Sequence, residues 1–403
     1  MKLGIYGGTF NPPHLGHITS AQFAMDALGL DRLVFVPAAQ PPHKALPAGS
    51  PEPEDRMEMA RIAADVILQP ERVQASDLEL ARPGKSYTAD TLRQIRTEFP
   101  QADLWLLMGE DMFLTLQYWR EPEAILSQAG VCAFARSQDA GGEALSVQAE
   151  YLQKTFGARV CTIQLPQIVD VSSTRLRELL AAGQGMEYLP PSIYGYIIRK
   201  GLYGVRLDLK HLPERELRAC SYSMMRAKRI AHVQGAEQEA VKLARRWGAD
   251  PVKVARAAIL HDCTKYLERD EQLRLCEKYG IVLDDLERSA VKLLHSKTGA
   301  CVARHVFGES DDIFEAIYWH TTGKADMSLL DKILYIADYM EPNRDFPGVE
   351  RLRKLAYEDL DAAVLAGCET SIQEMEERGL VVHQNTVAAR DWLAGKTKGT
   401  GNP

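Results

Sequence analysis

At 403 residues the chain is too long for one ordinary core, which predicts two or three domains. Apolar residues at 46%, charged residues at 26% and a net charge of −7 fit a globular chain and argue against a broad nucleic-acid-binding surface. No apolar run reaches the roughly 18 residues of a membrane span. The opening MKLGIYGG lacks the apolar stretch of a secretory signal, and the seven scattered cysteines contain no CxxC pair, so the expected compartment is the cytoplasm.

Up to about residue 200, β-rich runs alternate with helical patterns. Strand candidates are KLGIY (2–6), RLVFVPA (32–38), LWLLMG (104–109), VCAFA (131–135) and VCTIQL (160–165), with helical stretches at 17–29, 54–68 and 88–98. This alternation predicts an α/β Rossmann-like domain, a parallel sheet with helices on both faces. Strands that are nearly all apolar fit burial on both faces. Beyond 206 strand-like runs almost vanish, and EQEAVKLARRW (237–247) and KVARAAILHD (253–262) carry helical spacing, so an all-α domain follows. The expected layout is a first domain at 1–205, a linker at 206–213, a second domain at 214–395 and a disordered tail at 396–403.

The first strand runs straight into GGTFNPPHLGH (7–17). Gly7 and Gly8 let main-chain N–H groups approach a phosphate, and His14 and His17 fall near one side of a helix entry. No GK[ST] follows, so this is not a Walker A loop, and the GxGxxG spacing is absent too. Such a loop suits nucleotidyl transfer at an α-phosphate, which needs alignment and neutralised charge more than covalent help. Further donors follow: Lys44 in QPPHK, then Ser172, Ser173 and Thr174 at a helix start, and the forked cation of Arg177.

GGTFNPPHLGH resembles the signature of bacterial nicotinate-nucleotide adenylyltransferases, within the wider HxGH nucleotidyltransferase superfamily. The resemblance covers roughly 1–203, with PPHK (41–44), SYTADTL (86–92), GEDMF (109–113), Trp119 and SSTRLR (172–177) in family order. It implies that His14 and His17 contact ATP phosphates and stabilise the pentacovalent transition state, with Lys44 and Arg177 on phosphate. Gly8, Thr9 and Phe10 would line the nucleotide, and Gly109, Asp111, Ser172, Ser173 and Thr174 would hold adenosine and phosphates. Tyr87, Thr88 and Trp119 would grip nicotinate mononucleotide, its ring stacked on an aromatic. The implied reaction joins ATP, with Mg²⁺, to that mononucleotide. FARSQ (134–138) lacks the Pro-Gly that commonly follows the arginine there, Arg136, which the resemblance places on the nucleotide.

In the helical half, His232, His261, Asp262, His295, His320 and Asp338 keep close company. Imidazole with carboxylate suits Fe, Mn, Co or Zn, whereas an all-oxygen cage suits Ca²⁺ or Mg²⁺. Neighbours such as His261 and Asp262 stand about 100° apart on a helix and can both reach one ion. His232 and Asp338 would come from adjacent helices. That leaves His295, His320 and Arg344 to bind phosphate or to close a second metal site.

From about 212 to 395 this half is similar to HD-domain proteins of the YqeK type, which resemble symmetrical diadenosine tetraphosphate hydrolases. The motifs are KRIAHVQG, AAILHDCTKYL, LLHSKTGA, YWHTTGKADMSLLDKILYIADYMEPNRDFPGVE and LAYEDLDAA. The resemblance implies metal ligation, by iron first, at His232, His261, Asp262 and Asp338. It places substrate on His295, His320, Thr321 and Arg344, and implies cleavage of diadenosine tetraphosphate into two ADP. Ile230 stands where an aromatic residue often precedes the first histidine. The reading is therefore a bifunctional enzyme whose partners are ATP, nicotinate mononucleotide and dinucleoside polyphosphates, with no nucleic-acid or membrane partner and the oligomeric state open. Its rivals are a regulatory nucleotide-binding HD module and an HD hydrolase acting on a different nucleotide.

Overall fold

A computed structural model describes residues 1–42, 45–69, 71–135, 141–165 and 171–399. The chain divides into two compact units, with the second beginning at Leu207.

Six parallel strands form the first unit's sheet: β1 Lys2–Gly8, β2 Arg32–Pro37, β3 Val73–Ala75, β4 Asp103–Gly109, β5 Ala129–Ala135 and β6 Val160–Gln164. Their order is β3-β2-β1-β4-β5-β6. All of β5 is buried, which is why its sequence shows no polar alternation. The helices Leu15–Leu28, Pro53–Val66 and Thr88–Glu98 occupy the expected stretches. Only β3 had no counterpart in the sequence reading. Within β1, a Cβ on Gly4 would lie 2.5 Å from Leu30 Cδ1, so glycine is what lets the chain after the first helix pack on the strand. Strand order reverses between β1 and β4, and a crevice therefore opens at their carboxyl ends.

The second unit is helical in all its described elements. Local chemistry starts its helices: Asp250 caps Pro251–Leu260 by accepting from the Val252 and Lys253 N–H groups, and Ser328 with Asp331 forms a capping box on Leu329–Met340. Val233, Ala236, Ala240, Leu243, Val254, Ala258, Ile333 and Ala337 are buried on the facing sides of these helices and Ala227–Trp247. The last helix, Gln384–Gly399, runs past Lys396, where a structureless tail was expected. One contact accounts for part of this: the Lys396 ammonium lies 3.7 Å from the centre of the Trp392 ring. Among the described residues no helix is long and apolar enough to cross a membrane.

Candidate active sites

At the carboxyl ends of β1 and β4 the first unit encloses a cavity of about 370 Å³. Of the residues singled out in the sequence, Gly8, Thr9, Tyr87, Thr88, Gly109, Trp119, Ser172, Ser173, Thr174 and Arg177 line it. His14 is the N-cap of the first helix, and its ring centre is 3.9 Å from that of His17. The His14 backbone N–H donates to His17 Nδ1 at 3.2 Å. A neutral His17 ring must then carry its hydrogen on Nε2, as a donor for an anion. Ser172 Oγ caps Ser173–Ala181 by accepting from the Arg175 N–H at 3.1 Å. Arg177 donates to the Asn11 carbonyl at 2.8 Å and to Thr174 Oγ1 at 3.1 Å, fastening the histidine loop to that helix start.

Two expectations need correcting. Phe10 is 1% exposed and packs edge-on against Phe35 and His17, so its side chain supports the loop from beneath and does not line the nucleotide. Its φ of 44° turns the chain at this point and sends the ring inward. Asp111 is exposed in the first turn of Glu110–Phe113 and is not among the lining residues, because that helix turns Phe113 inward instead. Lys44 and Arg136 lie outside the described residues.

Sequence reasoning missed the supports. Asn11, 1% exposed, accepts from the Tyr203 hydroxyl at 2.9 Å and donates to Ser50 Oγ at 2.8 Å. Arg56 is equally buried, and its guanidinium donates to the carbonyls of Ala38 (2.5 Å), Thr9 (3.3 Å) and Ala39 (3.3 Å), joining the loops after β1 and β2. Burial lowers the Arg56 pKa. Glu79 lines the cavity, accepts from Thr91 Oγ1 at 2.6 Å, and has its carboxyl pKa raised by burial. Arg120 covers the Tyr87 ring at 4.5 Å. Asn11 lies inside the recognised loop motif. The others had no local signal.

In the second unit four imidazoles and two carboxylates converge. Helix Ala227–Trp247 brings His232, Leu294–His305 brings His295, and Leu329–Met340 brings Asp338. His261 and Asp262 were expected on a helix, but Pro251–Leu260 ends one residue earlier. Tight turns follow, with Cys263 N–H bonded to the Leu260 carbonyl and Lys265 N–H to that of Asp262. His320 likewise follows the end of Asp311–Trp319. Each Nδ1 has an acceptor: Glu341 Oε1 for His232 (3.1 Å), and the carbonyls of Ala258 for His261 (2.7 Å), Lys292 for His295 (2.6 Å) and Ile317 for His320 (2.7 Å). With Nδ1 donating, every neutral ring turns an Nε2 lone pair inward.

Those lone pairs face acceptors. His232 Nε2 is 2.9 Å from Asp338 Oδ1, and the Nε2 atoms of His295 and His320 are 3.2 Å apart. Asp262 faces both halves of the cluster. Its Oδ2 is 3.5 Å from His261 Nε2, and its Oδ1 is 3.1 Å from His295 Nε2. The Nε2 atoms of His232 and His261 are buried without a hydrogen-bond partner. Three overlapping triads (His232, His261, Asp262; His261, His320, Asp338; Asp262, His295, His320) keep their donor atoms within 4.8 Å of one another. Lone pairs and carboxylates aimed at a common centre fit a cation, and mixed nitrogen and oxygen donors fit a transition metal. Burial works to raise the Asp262 and Asp338 carboxyls, but His261 and His295 beside the first, and His232 and His261 beside the second, hold both well below the usual range when those rings carry a proton on Nε2. Burial, with His261 and His295, pushes His320 down to about 3.

Thr321 Oγ1 lies 3.3 Å from His320 Nε2, and Arg344 Nη2 lies 3.3 Å from Asp338 Oδ1. Sequence reasoning missed Arg229, paired with Asp262, and Lys265, 3.1 Å from Asp262 Oδ1. It also missed Glu341. Spacing offered a signal, since each stands three residues from a recognised donor. A further cluster, Asp284, Glu287 and His383, also keeps its donor atoms within 4.8 Å of one another, but its histidine is turned differently. There His383 Nδ1 accepts the Asn385 N–H at 3.1 Å, so Nε2 keeps its hydrogen and has no lone pair to give.

The parallel sheet that reverses order beside a histidine loop falls largely within residues 5–179, which match the cytidylyltransferase-like family of nucleotidyltransferases. Residues 229–343 match the HD domain family. The chain is 40% identical over 206 residues to a probable nicotinate-nucleotide adenylyltransferase of Gloeobacter violaceus, covering 51% of this chain and 97% of that one. A probable nicotinate-nucleotide adenylyltransferase of Thermus thermophilus is 37% identical over 204 residues, covering 50% and 100%. Through its N-terminal half the chain belongs to the nicotinate-nucleotide adenylyltransferase family, and its C-terminal half contains an HD domain. A crystal structure described as a predicted HD superfamily hydrolase involved in NAD metabolism, from Clostridium acetobutylicum, is 36% identical. It covers 46% of this chain and 98% of that one, with a TM-score of 0.45.

Proposed function

We propose that the chain is a bifunctional enzyme. Its first unit transfers the adenylyl group of ATP, accompanied by Mg²⁺, to nicotinate mononucleotide. A phosphate oxygen of the mononucleotide attacks the α-phosphorus, the bond to the bridging oxygen breaks, and pyrophosphate leaves. His17 donates from Nε2 to the oxygens that gain charge, with His14 beside it. The main chain at Gly8 and Thr9, the helix start at Ser172, Ser173 and Thr174, and Arg177 hold the phosphates, joined by Lys44 and Arg136. Gly109 holds the adenosine, while Tyr87, Thr88 and Trp119 grip the mononucleotide. The observation that carries this reading is the His14 N–H on His17 Nδ1 at 3.2 Å, which leaves a neutral ring its hydrogen on Nε2, in the loop whose Gly8, Thr9 and Asn11 line the cavity. In the test, His17→Ala lowers dinucleotide synthesis at least about 100-fold and spares hydrolysis. A kcat/KM that fails to favour the acid mononucleotide over the amide would refute the substrate assignment.

The second unit is proposed as a metal-dependent hydrolase that cleaves diadenosine tetraphosphate into two ADP. His232, His261, Asp262 and Asp338 would hold an ion, iron ahead of manganese, cobalt or zinc. When bound, such an ion supplies an acidified water and positive charge against the phosphoryl oxygens. Arg229, Lys265 and Arg344 meet the charge of the polyphosphate chain, and His295, His320 and Thr321 orient it. The supporting observation is the inward set of Nε2 lone pairs facing two carboxylates. The whole chain is assayed with Fe²⁺ or Mn²⁺ against diadenosine tetraphosphate and a panel of other nucleotides, beside Asp262→Ala. Binding without turnover would make the unit a regulatory module, and faster turnover of another nucleotide would replace the substrate.

A further inference from the structure

We infer that Glu341 is the positioning residue that sets His232 as a metal donor, an inference that rests on the metal reading of the helical unit. Three of the four converging imidazoles are oriented by carbonyls three residues back in their own segments. Backbone of that kind comes with the turn itself. His232 differs. It sits inside Ala227–Trp247, and its Nδ1 is held at 3.1 Å by Glu341 Oε1, a side chain 109 positions away in sequence. Of the four rings it is the one whose orientation a single side chain decides.

Glu341 is itself placed before it meets the ring. It is 1% exposed, and its second oxygen, Oε2, accepts from the Asn343 backbone N–H at 2.8 Å and from Asn343 Nδ2 at 2.9 Å. Asn343 Nδ2 also donates to the Ala231 carbonyl at 3.1 Å, tying this corner to the helix of His232. The helix makes room in turn. Gly235 lies one turn beyond His232, and a Cβ there would meet Glu341 Oε2 at 2.3 Å. Glycine inside a helix costs about 1 kcal/mol relative to alanine, so a gap at this position points to the carboxylate as what requires it. A carboxylate on the far nitrogen fixes the tautomer, aims the lone pair and makes the imidazole a stronger base. Glu341 belongs to none of the donor triads, so it acts through His232.

The test titrates the metal-free whole chain with Co²⁺, reading affinity by calorimetry and ligand geometry by visible absorption. Thermal unfolding of the metal-free proteins serves as the control for fold. Glu341→Ala is expected to weaken Co²⁺ binding by about 10–100-fold and to change the visible bands. Glu341→Gln keeps an acceptor without the charge and should fall between the two. Gly235→Ala keeps the carboxylate and pushes it off the ring, so it should weaken binding in the same direction. Wild-type affinity and bands in both Glu341 variants would overturn the inference. If Glu341→Ala does not fold, Glu341→Gln and Gly235→Ala carry the test on the same criterion. A wild-type chain that takes up no Co²⁺ would remove the metal reading and the inference together, an outcome distinct from a loaded wild type matched by its variants.

Discussion

Replacing Tyr203 with phenylalanine removes one oxygen atom from the interior of the first unit. The hydroxyl donates to Asn11 Oδ1 at 2.9 Å between buried groups. Burial raises the phenol pKa far above its usual value, so it remains a donor at any working pH. The phenylalanine ring fills the same space, and the loss reduces to a buried acceptor deprived of its donor, about 1–3 kcal/mol. In a unit of this size each kcal/mol lowers Tm by roughly 2–4 °C, so a fall of about 2–12 °C is expected. Differential scanning calorimetry measures it, with the relevant transition identified by its upward shift with ATP. Function should suffer as well, because the Asn11 carbonyl holds Arg177. Small displacements of positioning groups cost up to about 10²-fold, and kcat/KM for dinucleotide synthesis should drop by about 10-fold or more. In an Asn11→Ala background Tyr203→Phe should cost almost nothing further. An equal cost in both backgrounds would show that the hydroxyl acts through something other than Asn11.

Stripping metal with a chelator should abolish hydrolysis, and Mg²⁺ added back alone should restore synthesis but not hydrolysis; recovery of both would contradict the transition-metal reading. Phe10→Ala should destabilise the first unit by about 3–5 kcal/mol, measured by calorimetry, since a buried ring is lost; a change below 1 kcal/mol would return Phe10 to the cavity wall. Cys161 is the register partner of Cys132 on the neighbouring strand, and the Cys132 thiol beside it holds its pKa below the usual thiol value. The thiolate is the reactive form, so alkylation by iodoacetamide should be slow at pH 5 and reach its half-maximum at a lower pH than for a free thiol, as read by mass spectrometry. Cys132→Ala should move that midpoint upward, and an unmoved midpoint would refute the pairing.

Five of the six strands were legible because a strand buried on both faces is an unbroken apolar run between turns. β3 was not, since its three residues, Val73–Ala75, carry neither run nor alternation. The helical half was legible in its helices but not in where they stop. His261 and Asp262 follow a helix end made by i→i+3 turns, which leave apolar spacing unchanged. Residues proposed to meet the ligand sit in compact motifs, as His14 and His17 do. Residues that hold those in place do not. Arg56 reaches Thr9 across 47 positions, Tyr203 reaches Asn11 across 192, and Glu341 reaches His232 across 109. Nothing local marks Arg56 or Tyr203, and Glu341 has only its spacing from Asp338, because their partners come near only after the chain has folded. Phe10 misled for the opposite reason: it lies inside a motif but serves the core beneath it.

The proposed ligands His232, His261 with Asp262, and Asp338 come from three separate stretches of helix and turn. An ion gripped by these four would act as a rivet, present only when those segments are assembled. At a free concentration 100 times its dissociation constant, one ion adds about 2.7 kcal/mol to the folded form. The lifetime of this half inside a cell would then follow the supply of a trace element, with starved molecules opening more often and falling first to proteases.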